Sequence, residues 1–241
     1  RKNVIVQYCT GKPFNRCLND DEDACRRERE EIDRWHEICD NLYLWMYWCN
    51  FGFYLVPIAN FKAIYYDTVY CLRKGVYGIF QQSNGDNYPF EFYDLRNYLL
   101  AKLFQNPDMS YDDYRLLMRE FVTGFYGEKS AEYILSYIDL LCDFVEKLSP
   151  LYESKEQSFT MLSDESFINK GTELWEKALA KAEGDEYRAR IERSKISFDF
   201  CRLMKLWNEV KEGRGELGEY IRCHRRLVEF CYSYHGKFIY A

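Results

Sequence analysis

Three short apolar runs, each separated from the next by a helical segment, constrain the fold more than any other feature of this chain. Residues 4–9 (VIVQYC), 42–49 (LYLWMYWC) and 76–81 (VYGIFQ) are rich in β-branched and aromatic side chains. The second run is apolar throughout, which is typical of a strand that is buried on both faces. Strand, helix, strand, helix, strand at this spacing indicates βαβ units, so we expect three parallel strands joined by right-handed connections.

The segments between these runs have helical patterns. Residues 20–40 form an amphipathic stretch that opens with acidic side chains, where the helix dipole favours negative charge. A second helix is predicted from about Phe61 to Lys74. It should end at Gly75, because a glycine just after the last turn readily adopts left-handed backbone.

From Glu91 onward the sequence favours helices throughout. Ser110, followed by an acidic first turn, is predicted to cap the second of these helices. We therefore divide the chain into a partial (β/α) barrel over 1–105 and a helical bundle over 106–241, whose long helices should pack antiparallel. The predicted helices cover residues 92–105, 110–124, 129–148, 164–183, 185–212 and 216–235.

The number of strands leaves two arrangements open. A (β/α) barrel needs eight strands over about 250 residues, so three strands cannot close one. Either the chain is a small open sheet beside a helical bundle, or it is the C-terminal three βα units of an α/β barrel with five units upstream. The second arrangement is preferred, and the chain begins at Arg1 without an initiator methionine. An exposed strand edge would then need cover from a helix or from another copy of the chain, which predicts possible self-association.

Charge and hydropathy exclude two classes of partner. The net charge of −6 argues against nucleic acid, because binding phosphates requires a basic surface. No apolar run approaches the roughly 20 residues of a membrane-spanning helix. We therefore expect neither nucleic acid nor membrane as a partner.

The ten cysteines favour a reducing compartment. Most of them lie inside apolar patterns, where a thiol behaves as a small buried hydrophobic group. A cytoplasmic location is therefore favoured, although targeting is not readable from this segment. The metal-like spacings are His36-x-x-Cys39 and a group around Cys223 and His235, which would spread over more than one helix face. We predict no metal and no cofactor.

Four sequence blocks share the order and spacing of a known bacterial family. The blocks are LYLWMYWCNFGFYLVPIANF (42–61), GVYGIFQQSN (75–84), FEFYDLRNYLLAKLFQNPDMS (90–110) and EFVTGFYGEKSAEYILSYIDLL (120–141). On these blocks, the stretch from about Asn41 to Glu146 is similar to domain of unknown function 4838, found in large proteins related to alpha-glucuronidases and beta-hexosaminidases. The resemblance implies a (β/α)-barrel region whose site lies at the C-terminal ends of the strands, with carbohydrate as the substrate class.

The strand ends that match the family supply the candidate substrate-binding residues. These are Trp45, Tyr47 and Asn50 at the end of the second strand, with Gln81 and Gln82 at the end of the third. An aromatic ring at a strand end can stack on a sugar, although filling the barrel core explains Tyr47 equally well. Alternation along a strand places Trp45 and Tyr47 on one face.

The chemistry of glycoside hydrolysis is incomplete in this chain. Two carboxyl groups are normally required. At the positions where the resembled family usually has Asp and Glu, this chain has Met46 and Gln81. Neither of these side chains can exchange a proton near neutral pH. Glu91 is the best remaining candidate for a catalytic acid. Its alternative role, as a residue at a helix N-terminus that interacts with the dipole, is preferred.

Two functions follow from this sequence. The first is the C-terminal portion of a carbohydrate-active, glycoside-hydrolase-like protein, in which the isolated piece has no turnover. The second is a non-catalytic helical module that binds protein or carbohydrate. Exposure of the aromatic side chains of the last helix would favour that second function; they are Tyr220, Phe230, Tyr232 and Tyr234.

Overall fold

The computed structural model describes residues 3–13, 15–48, 55–82, 91–148 and 164–238, with the side chains of the last helix described as far as Ser233. The fold is mixed α/β and mostly helical, with one small sheet. Its elements in chain order are β1 (Val6–Cys9), α1 (Asp23–Ile38), β2 (Leu42–Tyr47), α2 (Phe61–Arg73), β3 (Gly78–Gln82), α3 (Tyr93–Gln105), α4 (Tyr111–Tyr126), α5 (Glu128–Glu146), α6 (Glu165–Ala180), α7 (Asp185–Lys211) and α8 (Leu217–Phe238).

The three strands are parallel neighbours in the order β1-β2-β3, which confirms the βαβ prediction. Val6 pairs with Leu42 in the first ladder, and Tyr43 pairs with Gly78 in the second. The strands are shorter than the apolar runs: β1 begins at Val6, and β2 ends at Tyr47. Trp48 still donates its backbone N–H to the Gln82 carbonyl at 2.9 Å, so the pairing continues one residue past the strand.

Side chains alternate strictly along β2, and one face of the sheet joins the main core. Leu42, Leu44 and Met46 are buried, in one cluster with Ile32 of α1 and Ile64 of α2. The buried face of the sheet thus belongs to the same core as the two connecting helices, which is the arrangement expected when consecutive βαβ connections have the same hand.

The predicted helix ends are confirmed at two places. Gly75 has φ of 78°, so it follows α2 in the left-handed conformation that a glycine adopts without steric cost. Ser110 caps α4, because its hydroxyl accepts the backbone N–H of Asp113 at 3.1 Å.

One continuous cluster of buried side chains extends from Leu18, which contacts Asp67 of α2, to Cys201 of α7. The core therefore crosses residue 105, and the division into 1–105 and 106–241 stays a prediction. Across the described ranges, none of the helices combines the length and the apolarity that crossing a membrane would require.

Two glycines inside helices provide a matched pair for a stability test. A Cβ atom on Gly171 of α6 would overlap the ring of Phe198 in α7, and that ring is fully buried. A Cβ atom on Gly124 of α4 would meet nothing within 4 Å. We expect Gly171→Ala to lower the free energy of unfolding by about 1–3 kcal/mol and Gly124→Ala to raise it by about 0.5–1 kcal/mol through helix propensity. Urea denaturation measures both, and a stabilising Gly171→Ala would contradict the close packing of α6 on α7.

Candidate functional site

The second face of the sheet lies opposite the connecting helices and forms the candidate site. We call it the open face. Strand register places its side chains together, because paired residues in a parallel sheet point to the same side. Whereas Val6, Tyr8 and Ile79 pack against the main core, the open-face side chains are not part of that core. The open face consists of Gln7, Cys9, Tyr43, Trp45, Tyr47, Phe80 and Gln82.

Trp45 lies at the centre of the open face. Its ring contacts Phe80 edge-on, with centroids 4.7 Å apart, and lies 6.3 Å from the ring of Tyr47. The indole Nε1–H donates to Gln82 Oε1 at 2.7 Å, which fixes the orientation of both side chains. These contacts hold three aromatic rings as a half-exposed platform rather than as independent side chains.

Tyr47 and Gln82 form the C-terminal rim of this platform. They are register partners at the last paired position of β2 and β3. A phenol and a carboxamide at the ends of parallel strands can hydrogen-bond polar groups of a ligand. The sequence prediction that groups Trp45, Tyr47 and Gln82 thus has a spatial counterpart, whereas their role in binding stays a prediction.

Gln81 lies on the opposite face of the sheet. Its Nε2 donates to the sulfur of Met46 at 3.3 Å, and Met46 is buried in the core. Its Oε1 is buried and has no hydrogen-bond partner among the described residues. Gln81 therefore does not share a surface with Gln82, because successive residues of a strand point to opposite faces.

Two other predicted site residues, Asn50 and Glu91, are not among the described side chains of the open face. Asn50 lies outside the described residues.

Glu91 directly precedes the Phe92 N-cap of α3, and its side chain is 1% exposed. Tyr137 of α5 donates a hydrogen bond to Glu91 Oε1 at 2.8 Å. Burial raises the pKa of Glu91 to about 7, against the opposing effects of Arg96 and of the Tyr137 hydrogen bond.

This placement bears on the role of Glu91. A carboxyl group with a pKa near neutrality is chemically suited to act as an acid. However, its described contacts are with the helical core rather than with the strand ends. The catalytic role stays a prediction, and the contact with α5 favours a structural role at the start of α3.

Phe80 is a site residue that sequence reasoning missed. It is 45% exposed and packs on Trp45. The available signal was its spacing of two from Gln82, which places both side chains on one face of a strand.

The described part of the open face offers aromatic stacking, hydrogen-bonding groups and the exposed thiol of Cys9. The seven described side chains that form it include no carboxylate. Within the parts of the chain that the structure describes, no three His, Cys, Asp or Glu side chains converge as a metal site would require. The acid pair that a glycosidase uses is not among the described side chains of the open face.

Most of the described side chains of the last helix, α8, are exposed to solvent. Tyr232 is 74% exposed, whereas Tyr220 and Phe230 are half-buried, and the side chain of Tyr234 lies outside the described residues. A cavity of about 450 Å³ lies between α8 and the helices α6 and α7, bordered by Leu179, Leu203 and Leu227. The exposed apolar side chains of α8 are Leu217, Ile221, Val228 and Tyr232.

Comparison with known proteins yields one match. The sequence profile described as "Domain of unknown function (DUF4838)" matches residues 1–139. That range contains the whole sheet, the open face, Glu91 and Tyr137. No curated protein and no solved structure matches the chain.

Proposed function

The chain belongs to the family of domain of unknown function 4838, and from this premise we propose that it is the C-terminal portion of a bacterial, carbohydrate-active protein related to glycoside hydrolases. In this proposal the open face binds sugar. The observation that carries it is the platform of Trp45, Tyr47 and Phe80, which ends in the Tyr47–Gln82 rim.

The geometry of the platform suits a carbohydrate ligand. Aromatic faces pack against the apolar C–H surface of a sugar ring, while neighbouring polar tips hydrogen-bond its hydroxyls. Gln82 is oriented by Trp45, so a sugar stacked on the indole would meet a carboxamide whose position is already defined. Such preorganisation lowers the entropy that binding must overcome.

The sheet also fits the final three βα units of a (β/α) barrel. In such a barrel the strands face the interior on one side and the helices on the other. The open face lies on the side away from α1 and α2, which is the side that the interior of a barrel would occupy. The outer edge of β1 would pair with an upstream strand in the longer protein, or with another copy of the chain when it is isolated.

A sugar-binding experiment tests this proposal. We expect the chain to bind members of a panel of neutral and uronic-acid-containing oligosaccharides in calorimetry, and Trp45→Ala to weaken that binding at least about 10-fold. Phe104→Ala is the matched control, because Phe104 of α3 is 43% exposed and is not part of the open face. Equal losses in the two variants, or no loss in Trp45→Ala, would contradict a site at the strand ends.

The same preparation tests catalysis. We expect no hydrolysis of aryl glycosides by the isolated chain, because the open face has no described carboxylate. Turnover that disappears in Glu91→Gln would contradict this expectation and would favour the catalytic role of Glu91.

The second candidate function is a helical module for protein contacts. It is favoured by the exposed apolar side chains of α8, which recur along one side of the helix. Binding of a protein partner that is lost in Tyr232→Ala but retained in Trp45→Ala would support this alternative.

A further inference from the structure

Glu91 is a buried acid that the proposed sugar site does not use. Its Oε1 accepts the Tyr137 hydroxyl, while its Oε2 is buried without a hydrogen-bond partner among the described residues. A carboxylate with half of its acceptor capacity unmet is costly in a protein interior, and the neutral acid is less so.

The surroundings of Glu91 are mainly aromatic and come from several helices. Phe92 stacks on Trp175 of α6 with centroids 6.0 Å apart, and Tyr137 lies 4.7 Å from Trp175 and 5.6 Å from Phe198 of α7. Phe92 itself has φ of 55°, a left-handed conformation that a phenylalanine keeps only where packing enforces it. The position of Glu91 is therefore imposed by the tertiary structure.

The ionisable groups that face Glu91 are few, and they come from four helices. Arg96 of α3 favours the charged carboxylate. The hydroxyl groups of Tyr126 and Tyr137 and the thiol of Cys201 also interact with it, and burial raises the pKa of each of these three groups. They stay neutral in the pH range where a carboxyl group titrates.

We call the aromatic side chains around Glu91 the aromatic box; they are Phe92, Tyr137, Trp175 and Phe198. The aromatic box connects two parts of the chain. Glu91, Phe92 and Tyr137 lie within the family match over 1–139, whereas Trp175, Phe198 and Cys201 belong to α6 and α7, beyond it. A charge on Glu91 would thus be solvated if α6 and α7 moved away from α3 and α5.

We propose that Glu91 is a proton-controlled latch between the family-matched part of the chain and the helices α6 and α7. With the carboxyl group neutral, the latch is closed and the aromatic box is tightly packed. With the carboxylate formed, opening of α6 and α7 becomes easier because it hydrates the charge.

The direction of the pH dependence follows from burial. The pKa of Glu91 is about 7 in the folded chain, against an ordinary value of 4.5. Between these values the closed state binds one more proton than the opened state, so the closed state loses stability as the pH rises through that interval. Below pH 4.5 the stabilisation is complete, and above about pH 7 it is lost.

Thiol labelling of Cys201 tests the latch. Cys201 is 1% exposed, and its modification by maleimide, followed by peptide mass spectrometry, reports the opening of α7. At each pH the labelling rate of the wild-type chain is divided by that of Glu91→Gln, which cancels the pH dependence of the reagent. We expect this ratio to be at least about 10-fold higher at pH 8.5 than at pH 5, since each pKa unit corresponds to a factor of ten.

Cys25 of α1 provides the internal control, because it is fully buried and lies outside the aromatic box. Its ratio should stay near 1 at both pH values. A Cys201 ratio that does not change with pH would overturn the proposal, as would equal increases for Cys25 and Cys201, which would indicate global unfolding. These outcomes do not depend on sugar binding, so they are separable from the test of the open face.

Discussion

Replacing Asp67 by asparagine is expected to lower the free energy of unfolding by about 3–5 kcal/mol. Asp67 of α2 is fully buried, and its Oδ2 lies 2.8 Å from Nζ of Lys12, whose side chain is 9% exposed. Its Oδ1 accepts the backbone N–H of Leu18 at 2.6 Å. Asparagine keeps an acceptor for Leu18 but leaves the Lys12 ammonium buried without its counter-charge. Urea denaturation of the variant measures the loss.

Two controls separate burial from simple loss of a salt bridge. Lys74 and Asp33 form a pair at 2.7 Å with 40% and 44% of their side chains exposed, so Asp33→Asn should cost less than about 1 kcal/mol. The double variant Lys12→Met with Asp67→Leu removes both charges and should recover most of the stability, because the desolvation cost disappears with them. Equal losses for Asp67→Asn and Asp33→Asn would refute the role of burial.

Replacing Arg96 by methionine is expected to cost about 4 kcal/mol, from the loss of three buried hydrogen bonds. Arg96 is 1% exposed, and its Nε donates to Asn60 Oδ1 at 2.9 Å. Its other nitrogens donate to the backbone carbonyl oxygens of Glu91 and Ile58. Asn60 in turn donates to the Trp48 carbonyl at 3.1 Å, so the network ties the exit of β2 and the start of α2 to α3. Methionine has similar bulk but no donor, which leaves these acceptors unpaired.

A graded series distinguishes the network from the charge. Arg96→Lys retains a cation but not the planar set of donors, and it should lose roughly half as much stability. Arg34→Met is the surface control, since the Arg34 side chain is 66% exposed, and it should change stability by no more than about 0.5 kcal/mol. A loss for Arg96→Met that does not exceed the surface control would show that the three acceptors do not depend on Arg96.

The prediction of the sheet succeeded because its signals are local. Each strand is an apolar run bounded by turn residues, and the connections are long enough for parallel pairing. The alternation of side chains also separated Trp45 and Tyr47 from Trp48, which the structure places in the core. The same rule, applied to β3, would have divided Phe80 and Gln82 from Gln81.

The buried polar groups were beyond sequence reasoning for a different reason. Lys12 and Asp67 are 55 positions apart, and Glu91 meets Tyr137 46 positions away. Nothing in the local pattern distinguishes these charged residues from solvated ones. Their burial depends on how loops and helices from distant parts of the chain pack together, and that packing also sets the pKa of Glu91.

The sequence by itself determined the order and type of the elements, the parallel pairing of the strands, the cap at Ser110 and the family to which residues 1–139 belong. Tertiary structure alone decided that Glu91 faces the helical core and that Gln81 and Gln82 lie on opposite faces. It also decided that Trp45, Phe80 and Gln82 form one connected platform. The physical reason is range: helix and strand formation depend on neighbours a few residues away, whereas burial and the meeting of side chains depend on contacts across the whole fold.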